Sequence, residues 1–139
     1  MAINFHLLLI TLSVLFYMAQ IWQVSNALFD EKLVVIYNLA QTIVPVHCRS
    51  LDDDLGRRNL YYGYDHAYKI IFRDNLWPYE STLVRCNTEI KGVPNINWIA
   101  YDARRHGDDC ITSACTWTIR RDGLYFSRGN ENERRVVIW

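Results

Sequence analysis

Residues 1–27 contain no Lys, Arg, Asp or Glu, and His6 is their only titratable side chain apart from Tyr17. A run without charge excludes an ordinary domain surface. Within it Leu7–Met18 (LLLITLSVLFYM) is a compact apolar segment, and the more polar AQIWQVSNA leads to small residues at Ser25 and Ala27. A different composition begins at Leu28-Phe29-Asp30-Glu31. The expectation is a secretory signal peptide over residues 1–27, cleaved after Ala27, followed by one small domain over residues 28–139. A retained anchor over Leu7–Val24 is the weaker alternative, because Gln20, Gln23 and Asn26 erode its second half. The chain lacks a second long apolar run, so the remainder is expected to be soluble and not membrane-embedded after cleavage.

An excess of either charge is missing too. Fifteen basic residues balance fifteen acidic ones, all beyond residue 27. This removes the sequence-wide electrostatic case for nucleic acid or an anionic membrane as partner. The Arg-Arg pairs at 57–58, 104–105, 120–121 and 134–135 read as strand ends and turns in solvent. No Asn-x-Ser/Thr sequon occurs, so N-glycosylation is not expected. His47, His66 and His106 have no recognisable spacing to a Ser or Cys nucleophile, so no catalytic residue and no cofactor is expected.

What is present is an even set of four cysteines, Cys48, Cys86, Cys110 and Cys115, all in the domain. In a small exported chain they read as two disulfides. Zinc is disfavoured because Cys48 and Cys86 stand singly, without a C-x2-C spacing. The favoured pairing is Cys48–Cys115 and Cys86–Cys110, since a Cys110–Cys115 bridge would close a very short loop.

A sustained helical period is absent after residue 27. Short β-branched and aromatic runs are punctuated by Asn, Asp, Gly and Pro, and predict strands at 33–38, 44–49, 60–64, 67–72, 82–90, 96–101, 115–120, 123–127 and 135–139. The fold class expected is all-β: a small disulfide-stabilised β-sandwich of about eight short antiparallel strands. Alternation places Val44, Val46 and Cys48 inside, then Val84, Cys86 and Ile90, then Cys115, Trp117 and Ile119. Asp122-Gly123 between two such runs is a hairpin signal.

The stretch SLDDDLG, residues 50–56, offers three adjacent carboxylates. A calcium loop of the EF-hand type needs oxygens spread over a longer stretch and a closing Glu, which are missing, so no metal is expected. The favoured reading is a structural turn built by Ser50, Asp52, Asp53, Asp54 and Gly56, with Leu51 and Leu55 packing inward. Exposed carboxylates beside Arg57-Arg58 would also suit a recognition surface.

Together these pieces resemble the plant self-incompatibility protein S1 family, the S-protein homologues. The resemblance is carried by VVIYNL (34–39), VHCRSLDDDLG (46–56), TLVRC (82–86), WIAYDARR (98–105), CITSACTWTIRRDGLYFS (110–127) and the terminal Trp139. The chain departs from it after Cys86, where NTEIKG replaces an aromatic-rich strand. The resemblance implies a small secreted β-sandwich without enzymatic activity, whose best-known relatives are recognition ligands. The expected function is therefore an extracellular ligand that binds a cell-surface protein receptor through exposed loops. Candidate contacts are Trp77 and Tyr79 in one loop and Arg104, Arg105, Asp108 and Asp109 in another. The polar loop 128–133 is a third candidate surface. Tyr61, Tyr62, Tyr64 and Tyr68 are expected as half-buried strand residues. Other readings are a secreted nuclease-like hydrolase and a glycan-binding defence protein that stacks sugars on Trp77 and the tyrosines.

Overall fold

A computed structural model describes residues 5–29, 31–73, 82–106, 110 and 114–139. The chain divides into two compact units, residues 1–30 and 31–139. The first is a single helix, α1 (Phe5–Phe29). Its residues from Leu7 to Trp22 leave their apolar side chains largely exposed. Among the described residues no helix is long and apolar enough to cross a membrane.

The second unit is built from strands β1 (Lys32–Asn38), β2 (Val44–Arg49), β3 (Asp54–Leu60), β4 (Gly63–Phe72), β5 (Leu83–Thr88), β6 (Ile96–Asp102), β7 (Cys115–Arg120), β8 (Gly123–Arg128) and β9 (Arg134–Ile138). One short helix, α2 (Ala103–His106), follows β6. The strands form a five-stranded sheet ordered β4-β1-β7-β8-β9 and a four-stranded sheet ordered β3-β2-β5-β6. Both bury one face, and the all-β expectation holds. Among the described residues every ladder is antiparallel except β1–β7, which runs parallel with Val34 beside Cys115 and Ile36 beside Trp117. That pair departs from the expected all-antiparallel arrangement.

Period-two patterning explains the core. Val44, Val46 and Cys48 of β2, Val84 and Cys86 of β5, and Cys115, Trp117 and Ile119 of β7 are all buried. Burying each large apolar side chain contributes about 1.5–3 kcal/mol. At the third predicted inward site of β5, Thr88 is buried and donates its hydroxyl to the Pro45 carbonyl at 2.8 Å, while Ile90 lies past the strand end and is only partly covered. Trp117 joins the two sheets, donating its indole N–H to the Ala100 carbonyl on β6 at 2.9 Å. Gly123 opens β8 against β9 so closely that a Cβ there would run into the Val137 carbonyl oxygen.

The disulfides correct the expected pairing. Cys48 bonds Cys86, and Cys110 bonds Cys115. The reason is strand order: β2 and β5 are neighbours, and Cys48 lies directly opposite Cys86 on the inner face. Cys110, placed after α2, is left to reach the start of β7 across the short loop that spacing had disfavoured.

The acidic stretch is also rearranged. Only its first part turns, and Asp54 already starts β3. Ser50 organises that turn, its Oγ accepting the backbone N–H of Asp53 at 2.8 Å and of Asp52 at 3.3 Å. Gly56 sits inside β3 at φ 92°, next to a register shift after Cys48, a bulge that glycine tolerates. Leu55 packs against the core as expected, but Leu51 is 62% exposed at the turn tip. The strand predicted over 60–64 is broken by a bend at Tyr61 and Tyr62, between the end of β3 at Leu60 and the start of β4 at Gly63; Tyr61, Tyr62 and Tyr64 are exposed while Tyr68 alone of the four is buried.

Asn38, at the end of β1, pins two loops. Its side-chain amide donates to the Thr42 carbonyl at 2.6 Å and the Leu60 carbonyl at 2.8 Å, and its Oδ1 accepts from the Ala40 N–H at 2.9 Å. The residue is fully buried, so Asn38→Ala is expected to cost about 2 kcal/mol by leaving three backbone groups without this partner. Denaturant unfolding checks it; an unchanged midpoint would show that water replaces the amide freely.

Candidate functional site

The outer face of the four-stranded sheet is polar because its strands alternate. Register lines up Asp54, Arg49, Arg85 and Ile99 across β3, β2, β5 and β6. The next rung carries Arg57, His47, Asn87 and Asn97. Two arginines, Arg49 and Arg85, thus stand directly opposite one another on neighbouring strands. Like charges in this position repel, and an anion placed between them relieves that repulsion.

Asp54 partly compensates on the β3 side. His47 Nε2 donates to its Oδ1 at 2.7 Å, and Arg49 Nε lies 3.7 Å from Oδ2. The His47 hydrogen bond, aided by the Gly56 N–H, holds the Asp54 carboxyl below the usual carboxylate range. Arg57 stands 3.8 Å from Glu89. Arg85 has no carboxylate within ion-pair distance among the described residues.

The unequal sheets open a depression at the β6 edge. Trp117 of β7 bonds to β6, so β8 and β9 extend past the last strand of the facing sheet. Helix α2 covers part of this overhang. His106 accepts the Asp102 N–H on its Nδ1 at 3.0 Å, and its ring lies 5.5 Å from that of Phe126 and 6.0 Å from that of Tyr101. The Arg134 guanidinium sits over the Phe126 ring at 5.4 Å. An open depression of about 1150 Å³ runs from the outer-face arginines around β6 to β8 and β9.

Of the residues expected to make contacts, Arg104 and Arg105 are exposed on α2, and Arg105 lines this depression 3.8 Å from Asp102. Trp77, Tyr79, Asp108 and Asp109 lie outside the described residues. Asp52, Asp53 and Asp54 are exposed on the far side of β2 from Arg85. Among the described residues no group of three or more His, Cys, Asp or Glu side chains is placed to hold a metal ion. Sequence reasoning did not single out Arg85, Trp98 or Arg134. Alternation marks Arg85 as outward, but only register brings it against Arg49.

Comparison with known proteins agrees with this architecture. A sequence model described as "Plant self-incompatibility protein S1" matches residues 33–139. Self-incompatibility protein S1 of Papaver rhoeas is 30% identical over 93 residues, covering 67% of this chain and 62% of that protein, which is less than two thirds of its length. S-protein homolog 29 of Arabidopsis thaliana is 31% identical over 130 residues, covering 91% of this chain and 90% of that one. S-protein homolog 11 of the same plant is 26% identical over 126 residues, covering 83% and 82%. A solved self-incompatibility protein homologue, from a family described as small, highly stable, secreted plant proteins, superposes with TM-score 0.59 at 22% identity, over 78% of this chain and 93% of that one. The chain belongs to the plant self-incompatibility protein S1 family.

Proposed function

We propose that this chain is a secreted extracellular ligand that binds a cell-surface protein, with recognition and not catalysis as its mechanism. Membership of the S1 family carries the reading, since a relative bears the name Self-incompatibility protein S1. The two disulfides and the uncharged apolar segment of residues 1–27 support passage through an oxidising export route, with that segment as its leader. A stapled sandwich offers a partner rigid strands, and its contacts include Arg104 and Arg105 on α2 together with Trp77, Tyr79, Asp108 and Asp109.

The test is binding of the labelled, oxidised, secreted protein to membranes from several plant tissues, with unlabelled protein as competitor. Saturable binding that the competitor displaces is expected in at least one tissue. Binding that never saturates in any tissue would overturn the reading.

A further inference from the structure

The depression around β6 is lined by charge of one sign. Five arginines line it (Arg49, Arg85, Arg105, Arg128 and Arg134), and no Asp or Glu is among its described lining residues. Arg49 and Arg105 have a carboxylate nearby, at 3.7 and 3.8 Å, whereas Arg85 faces only Arg49 and Ile99 across its strands. A second observation is independent of charge. Trp98, which also lines the depression, is 7% exposed, and its indole N–H is buried with no acceptor among the described residues. An indole N–H can only donate, so it favours an incoming oxygen. Third, β6 and β9 are the outermost strands of their sheets on this side; with the Ala100 carbonyl taken by Trp117 and the Asp102 N–H by His106, it is the Ile96–Ile99 stretch of β6 that offers backbone donors and acceptors to a further chain.

We propose that this depression receives an extended acidic polypeptide segment of the partner, its backbone pairing with the Ile96–Ile99 stretch of β6 and its carboxylates meeting Arg85 and Arg49. The proposal rests on the ligand reading above and adds the chemistry of what is bound. Guanidinium groups hold carboxylates through paired N–H donors, and strand addition supplies backbone hydrogen bonds. A peptide fits better than an acidic glycan because the aromatic rings here are covered. Trp98, Trp117 and Phe126 are 7%, 4% and 2% exposed, so no ring face is presented to a sugar. Exposed Val136 and half-buried Ile99 instead offer apolar contacts to alternate side chains.

The experiment is fluorescence anisotropy of the oxidised secreted protein with a labelled peptide of alternating Glu and Thr. A matching Lys-Thr peptide and a labelled galacturonate oligomer serve as the other arms. The Glu-Thr peptide is expected to bind, to weaken as salt rises, and to lose about tenfold or more in affinity to Arg85→Glu. Lys69→Glu, the same charge change on the distant strand β4, is expected to alter affinity by less than about twofold. Equal binding by Arg85→Glu and the parent protein would overturn the proposal, as would no binding of the acidic peptide. Tighter, Arg85-dependent binding of the galacturonate would also overturn it and assign the depression to a glycan. The two readings fail separately. Saturable membrane binding unaffected by Arg85→Glu removes this site and keeps the ligand; Arg85-dependent peptide binding without any membrane binding does the reverse.

Discussion

Replacing Cys48 and Cys86 together by alanine lowers the unfolding free energy by about 4 kcal/mol, the chain-entropy value for a bridge that spans 38 residues. Both residues are buried, at 0% and 2% exposure, so the lost sulfur atoms add a small packing deficit in the centre of the core. The companion pair, Cys110 and Cys115, lies only five positions apart in the sequence, and its removal is expected to cost about 2 kcal/mol. Guanidinium unfolding of the oxidised proteins measures both. A loss as large for Cys110/Cys115 as for Cys48/Cys86 would contradict the loop-length account. Recovery of a peptide joining Cys48 to Cys115, after proteolysis without reduction, would contradict the pairing itself.

Trp117→Ala is expected to cost about 4 kcal/mol, within the range for removing a buried tryptophan. Its ring is 4% exposed and packs against Trp98 and Phe126, with centroids 6.2 and 4.7 Å away. It is also a polar tie between the sheets through the Ala100 carbonyl. Trp117→Phe separates the two contributions, because it keeps much of the volume and removes the N–H. That variant is expected to lose about 2 kcal/mol, part from the smaller ring and part from a buried carbonyl left without its donor. Thermal and denaturant unfolding read the difference. If phenylalanine were as damaging as alanine, the hydrogen bond would outweigh packing at this position.

The strands that were legible in the sequence are those with one clean apolar face. Val44–Arg49 and Cys115–Arg120 alternate without interruption, and Asp122-Gly123 marks the turn after the second. Strand β3 was hidden because DLGRRNL has apolar side chains only at Leu55 and Leu60 and contains a bulge at Gly56. As the edge strand of its sheet it needs less burial than a central one, so its polar residues look like a turn. The disulfide pairing was illegible for another reason: which cysteines meet depends on which strands become neighbours, and β2 meets β5 only through the sheet order. The candidate site was legible only in parts. Exposure of Arg85 and Arg105 follows from local pattern, but the overhang that joins them in one depression arises from five strands facing four. No local run of residues encodes that mismatch.

The parallel ladder between β1 and β7 sets an order of events during delivery of the chain. β1 is the first strand to emerge, and it can pair early with β4, yet its other edge is completed only when Cys115–Arg120 arrives. Contacts between residues so far apart in sequence slow folding. The Cys48–Cys86 bridge, by contrast, lies wholly in the portion delivered earlier. Oxidation of that pair therefore does not have to wait for closure of the five-stranded sheet. A nascent chain halted before β7 has both cysteines of its longer covalent link while an unsatisfied central strand still stands open to other polypeptides, an interval in which a chaperone would protect that edge.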